Sequence, residues 1–153
     1  MSFSPLLAAS FEKKTNASIE SQLMKLTYPL AMQPKYDGVR VLCVPEMGIV
    51  KRKLELVENN DIRQKLAKFA SFSIDGEVVI VDEAGDTMAF QKAQSAVAKV
   101  HGAYNFKLMA FDCFKVPSYG FWQRYSMLKA WHEKYVATGC TLVQLAPVQM
   151  ARS

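Results

Sequence analysis

The chain has 153 residues, half of them apolar and 22% charged, with a mean hydropathy of +0.00; this globular composition excludes a disordered or low-complexity protein. The length fits one domain with a real core, and no apolar run reaches the roughly 18 residues needed to span a bilayer, which excludes a transmembrane protein. The 19 basic and 14 acidic residues give a net charge of +5, a modest excess that suits nucleic acid or phosphate ligands without requiring them.

Along the chain, the apolar run Pro5–Ala9 lacks preceding basic residues and so does not read as a secretory signal. Residues 16–25 read as a short helix with Asn16 as its N-cap. Residues 28–35 are extended, punctuated by Pro29 and Pro34. Residues 39–44, dense in β-branched side chains, predict a buried strand; Pro45–Gly48 is a turn, and residues 49–53 return as a second strand. Residues 60–69 predict a helix, with Ile62, Leu66 and Phe69 on one side. Residues 72–81 predict a strand interrupted at Asp75-Gly76-Glu77, residues 82–86 a turn, and residues 88–100 a helix. A strand over 106–114 follows, then a helix over 121–137 with Trp122, Tyr125, Leu128, Trp131 and Tyr135 along one side, expected to be core packing. Residues 141–150 predict one closing strand. The expected class is α+β with mainly antiparallel sheets and flanking helices, not a doubly wound parallel fold.

The three cysteines, Cys43, Cys113 and Cys140, are far apart and odd in number. They fit neither a disulfide framework nor a zinc site and read as reduced core residues of a cytoplasmic protein. His101 and His132 have no partners at triad spacing and read as structural or surface residues.

Three polar clusters could carry chemistry. In Lys35-x-Asp37-Gly38-x-Arg40, Lys35 and Asp37 share a face if the chain is extended, and Gly38 permits close approach of a ligand. Lys35 sits in apolar company, where desolvation and nearby cations would make it a nucleophile. Arg40 can fork onto phosphate oxygens. A lysine–aspartate surface pair at a hairpin is the plain alternative. In Asp75-Gly76-Glu77, carboxylates inside an apolar strand need a cation, a metal or a ligand hydroxyl, unless the segment is a bulge with exposed acids. Phe111-Asp112 places a ring on a core strand, either as core or as a stacking face for a base.

In order and spacing these clusters resemble the covalent nucleotidyltransferases: ATP-dependent DNA ligases, RNA ligases and mRNA capping enzymes, and among these the phage-type ATP-dependent DNA ligases most of all. Gln33-Pro-Lys-Tyr-Asp-Gly-Val-Arg40 looks like the start of the nucleotide pocket. Lys51-Arg52 and the following residues to Arg63 resemble the family's Ser-Arg segment and helix, with Lys51 in the serine place. Phe90-Gln91 resembles its phenylalanine–glutamine helix start, and Pro117 with Arg124-Tyr125 the loop and helix beside the pocket. The resemblance implies an ATP-grasp-like nucleotidyltransferase fold. It also implies that Lys35 attacks the α-phosphate of ATP and holds AMP, and that Gln33 recognises adenine. Arg40 and Arg52 would contact ribose or phosphates, Glu77 would bind ribose or Mg²⁺, and Phe111 would stack on adenine; Asp37, Gly38 and Asp75 support them. Lys35, Arg40, Arg52, Glu77 and Phe111 are therefore expected around one cavity.

The family's later Glu-Gly-hydrophobic-(Lys/Arg) strand and Lys-x-Lys pair do not occur in residues 112–153. The expectation is therefore a single partial adenylation domain over residues 1–153, without the oligonucleotide-binding (OB-fold) domain. Its substrate would be nicked duplex DNA once a complementary chain completes it. A non-catalytic nucleotide- or DNA-binding remnant, an RNA ligase-type enzyme and a partner subunit completed by another chain are the alternatives.

Overall fold

The computed structural model describes residues 16–152. The chain divides into two compact units, one made from its two ends, up to Gln33 and from Val148, and one over Pro34–Pro147. In the first, helix α1 (Asn16–Leu23) precedes strand β1 (Leu30–Met32). This strand pairs antiparallel with β7 (Gln149–Ala151), Leu30 opposite Ala151 and Met32 opposite Gln149.

The larger unit is built on five strands: β2 (Val39–Val44), β3 (Gly48–Lys51), β4 (Ile74–Ile80), β5 (Phe106–Cys113) and β6 (Val143–Leu145). Their spatial order is β3-β2-β4-β5-β6. All pairs are antiparallel except β5 with β6, which is parallel. That parallel step follows from the connection: helix α4 (Phe121–Val136) carries the chain back between the two strands, as a parallel crossover requires.

Helices α2 (Asn60–Ala67), α3 (Phe90–Ala98) and α4 cover the apolar face of this sheet. Val41, Cys43, Ile74, Val78, Ile80, Leu108 and Ala110 meet Ile62, Leu66, Ala93, Ala96, Val97 and Leu128 there. The spacings Ile62/Leu66 and Ala93/Ala96/Val97 are the i, i+3, i+4 repeats that put one helix face against a sheet. Small residues on α3 allow it to lie close. Phe72 stacks on Trp131 at 4.8 Å and Trp131 on Tyr135 at 5.4 Å between centroids, walling one end of this core. The histidines are structural or exposed as expected: His132 bonds through Nε2 to Val143 O at 3.0 Å, and His101 is exposed.

Four expectations are corrected. Asp75-Gly76-Glu77 does not interrupt its strand: β4 runs unbroken through it, because Gly76 packs so closely that a Cβ would lie 2.8 Å from Met109 O. Residues 141–150 form two short strands in different sheets, not one, with Pro147 between them, where a ladder donor is missing. Trp122 leaves the aromatic stripe and is 43% exposed. Cys140 is half-buried rather than core, unlike the buried Cys43 and Cys113; all three are free.

Asn59 is fully buried and joins two distant segments. Its Oδ1 accepts from Ile62 N at 2.9 Å, capping α2, while Nδ2 donates to Lys99 O and Gly102 O at 2.8 and 3.1 Å. Asn59→Ala removes a cap and leaves two carbonyls without this donor, so it should cost about 2–3 kcal/mol. Urea unfolding of the variant beside the wild type measures this; a loss under about 0.5 kcal/mol would contradict it.

Candidate functional site

The alternation of β2 and β4 sends two kinds of residue to opposite faces of one sheet. Val39, Val41, Gly76 and Val78 stand in register on the helix-covered face, while Arg40 opposite Glu77 and Leu42 opposite Asp75 stand on the other. On the next strand the register slips: Gly76 pairs with Ala110 but Asp75 with Asp112, so Phe111 is an extra residue between two successive pairings. This is a β-bulge, which re-aims side chains locally. It brings Phe111 and Asp112 to the polar face that carries Arg40, Asp75 and Glu77.

The polar face is tightly bonded. Arg40 forks onto Asp75, with Nε to Oδ1 at 2.9 Å and Nη2 to Oδ2 at 2.6 Å, and its guanidinium lies 5.7 Å from the centroid of the Phe111 ring. Arg124, from the first turns of α4, forks in the same manner onto Asp112, with Nε to Oδ1 at 2.9 Å and Nη2 to Oδ2 at 2.8 Å. Asp112 Oδ1 also accepts from Cys113 N at 2.7 Å. Bidentate arginine–carboxylate pairs fix orientation as well as charge.

Glu77 differs from Asp75. It is half-buried, accepts from the Gly38 backbone N–H, and feels the positive charges of Lys35 and Arg40. Burial nevertheless raises its pKa above the usual carboxylate value, the nearby N–H and cations pulling the other way. Burial likewise raises that of Asp75, against the pull of Arg40, and pushes the Cys43 thiol up to about 12. The loop bearing Lys35 and Asp37 lies directly over β4. A Cβ on Gly38 would sit 2.2 Å from Val78 O and 2.9 Å from Glu77 Cγ. Space, not backbone angle, demands glycine here.

Of the residues expected around one cavity, Arg40, Glu77 and Phe111 share this face with Asp75 and Gly38, and Lys35 is near enough to act on Glu77. Arg52 is exposed in the turn after β3, one residue beyond the last pair of that strand with β2, Lys51 opposite Val41. Gln33 belongs to the smaller unit. Two chemical expectations change. Lys35 is exposed rather than desolvated, since it lies in a loop and not in the apolar strand that follows it. The fork of Arg40 closes on Asp75 instead of standing open for phosphate oxygens. Arg124 with Asp112 was missed as a bonded pair. Its signal was an arginine early in a helix after an Asp on a core strand, which spacing alone does not connect.

The fold matches solved DNA ligase structures. The DNA ligase-adenylate of Chlorella virus superposes with a TM-score of 0.76 at 23% identity, over 98% of this chain and 51% of that one. A Lig E DNA ligase matches with a TM-score of 0.57 at 22% identity, over 80% and 45%. The ligase domain of M. tuberculosis LigD matches at 0.50 and 18%, over 80% and 40%. The chain thus spans about half the length of these structures. A search of curated proteins finds no match. The α+β sheet with its helical cover is that of a DNA ligase nucleotidyltransferase domain. Residues 5–135 match the family model for the ATP dependent DNA ligase domain, and the chain belongs to that family.

Because the pKa of Glu77 is raised on folding, its ionised form opposes folding at neutral pH, and that penalty fades as the pH falls through its folded pKa toward the unfolded one. Glu77→Gln should therefore match or exceed the wild type in Tm at pH 8, with any advantage shrinking toward pH 4; an advantage that grows on acidification would contradict the assignment. Gly38→Ala should lower stability by about 1–3 kcal/mol through overpacking, read as a fall in the denaturation midpoint.

Proposed function

We propose that this chain carries the nucleotide-binding face of an ATP-dependent DNA ligase adenylation domain, with Lys35 as the nucleophile. The observation that supports the reading is that Arg40, Glu77 and Phe111 share one sheet face and that the charge of Lys35, from the loop before β2, is felt at Glu77, in a chain of this family. In this reading ATP lies on that face with its adenine against Phe111. Arg40, held by Asp75, keeps a fixed positive charge beside the ring. Lys35, exposed and unobstructed by apolar packing, attacks the α-phosphorus. Its Nζ forms the phosphoamide bond as the bond to pyrophosphate breaks, and the ammonium proton leaves with solvent or product. Positioning and fixed charge supply most of the rate in such transfers. Gln33 and Arg52 are proposed to contact the adenine edge and the ribose or phosphates, and Asp37 to support the loop.

Glu77 is the residue that would hold Mg²⁺. Among the described residues no group of three or more His, Cys, Asp or Glu side chains could hold a metal. Mg²⁺ needs only one or two carboxylates when substrate phosphates complete its shell, so a single half-buried glutamate fits. The cation would neutralise charge on the phosphates.

Nicked duplex DNA is the proposed acceptor of the AMP, in a partial adenylation domain completed by a complementary chain, with roles in DNA repair, replication or recombination in a cytoplasmic, phage-type setting. No described helix is long and apolar enough to cross a membrane.

Labelling with α-³²P-ATP and Mg²⁺ tests this. The 153-residue chain by itself should give weak labelling, since residues 112–153 hold no Lys-x-Lys pair to stabilise the transition state, a loss on the order of 10²–10³-fold per donor. A polypeptide supplying the Glu-Gly and Lys-x-Lys segments should raise it strongly. Lys35→Ala should abolish it in both cases. Labelling that survives Lys35→Ala removes the nucleophile; none in any mixture favours a non-catalytic nucleotide- or DNA-binding role.

A further inference from the structure

We propose that Arg124 is a positioning residue for the nucleotide face, holding the bulged Phe111–Asp112 step and, through it, the Arg40–Asp75 fork. This rests on the nucleotide-face reading above. Asp75 and Asp112 stand opposite each other across β4 and β5, and their side chains are only 11% and 20% exposed. Two carboxylates so placed repel each other. The structure resolves this with a row of alternating charge: Arg40, Asp75, Asp112, Arg124. Each arginine takes one carboxylate with both of its forked donors.

Remove the charge of Arg124 and the row is unbalanced. Asp112 then has no cation of its own, and Arg40 is drawn between two carboxylates. Arg40 is also the cation over Phe111, so the ring's surroundings change with it. Arg124 is well anchored for this task. Its Nη1 donates to Tyr119 O at 2.6 Å, and Gln123 Oε1 accepts from Gly120 N at 3.0 Å, which fixes the start of α4. Arg124 reaches this face through Asp112, which it holds with both forked donors.

A residue that only clasps α4 to β5 would share this geometry, and a second substitution separates the two roles. In the 153-residue chain, the Arg40 Nε–H resonance, which reports the fork onto Asp75, is followed by ¹⁵N NMR at fixed pH, and ATP affinity by calorimetry. R124Q should shift the Arg40 Nε–H resonance and weaken ATP binding about ten-fold. Adding D112N to R124Q removes the unbalanced charge and should restore both values. A clasp lost by R124Q stays lost in the double variant, so failure to restore either value overturns the proposal, as does an unmoved Arg40 resonance in folded R124Q. Should R124Q not fold, R124K, which keeps the charge without the fork, is compared with the double variant; both should hold the Arg40 resonance near the wild type, and a shift in both overturns the proposal. A wild-type chain that binds no ATP would instead sink the nucleotide reading, while the Arg40 resonance still decides the part played by Arg124.

Discussion

The arginine–aspartate fork between β2 and β4 is the contact on which the polar face depends. A carboxylate in the middle of an apolar strand is costly unless a partner satisfies both oxygens. Arg40 does so from the neighbouring strand with two short bonds. Meeting that requirement fixes more than charge. It sets the register in which Glu77 faces Arg40, and it holds a guanidinium over Phe111. The apolar face of the same strands is fixed independently by Val41, Val78 and Leu108 under the helices. One short stretch of sheet thus serves as core on one side and as a charged floor on the other.

Much of the fold was legible in the sequence. The Val39–Val44 strand, the helices around Ile62 and Leu128, and the strand beginning at Phe106 announce themselves through β-branched density or helical spacing. The failures have identifiable causes. Carboxylates at 75 and 77 look like a break because a one-dimensional reading cannot see the arginine that neutralises one of them. Residues 141–150 look like one strand because alternation continues across Pro147, while pairing does not.

The site was legible in its residues but less so in their states. Family-like spacing gathered Lys35, Arg40, Glu77 and Phe111, yet it could not say that the Arg40 fork closes on Asp75 or that Lys35 is exposed. Those are consequences of tertiary distance. The bulge at Phe111 is likewise invisible in sequence, because nothing in Ala110-Phe111-Asp112 marks an extra residue; only the register against β4 reveals it. Arg124 went unconnected for the same reason, since its partner is on another element.

The contact between Gly38 and the strand below has a dynamic meaning. Gly38 lies so close to β4 that there is no room for a Cβ between it and Val78 O or the Glu77 side chain, so lifting this stretch would open a void and lose packing. The close contact falls three residues beyond Lys35, which works against a hinged-flap motion there. Motion of the amine is then mainly rotation about the four side-chain bonds of the lysine, which exposed side chains make in picoseconds to nanoseconds. Searching for a target on that timescale needs no slow loop rearrangement, and the ground beneath the search stays still.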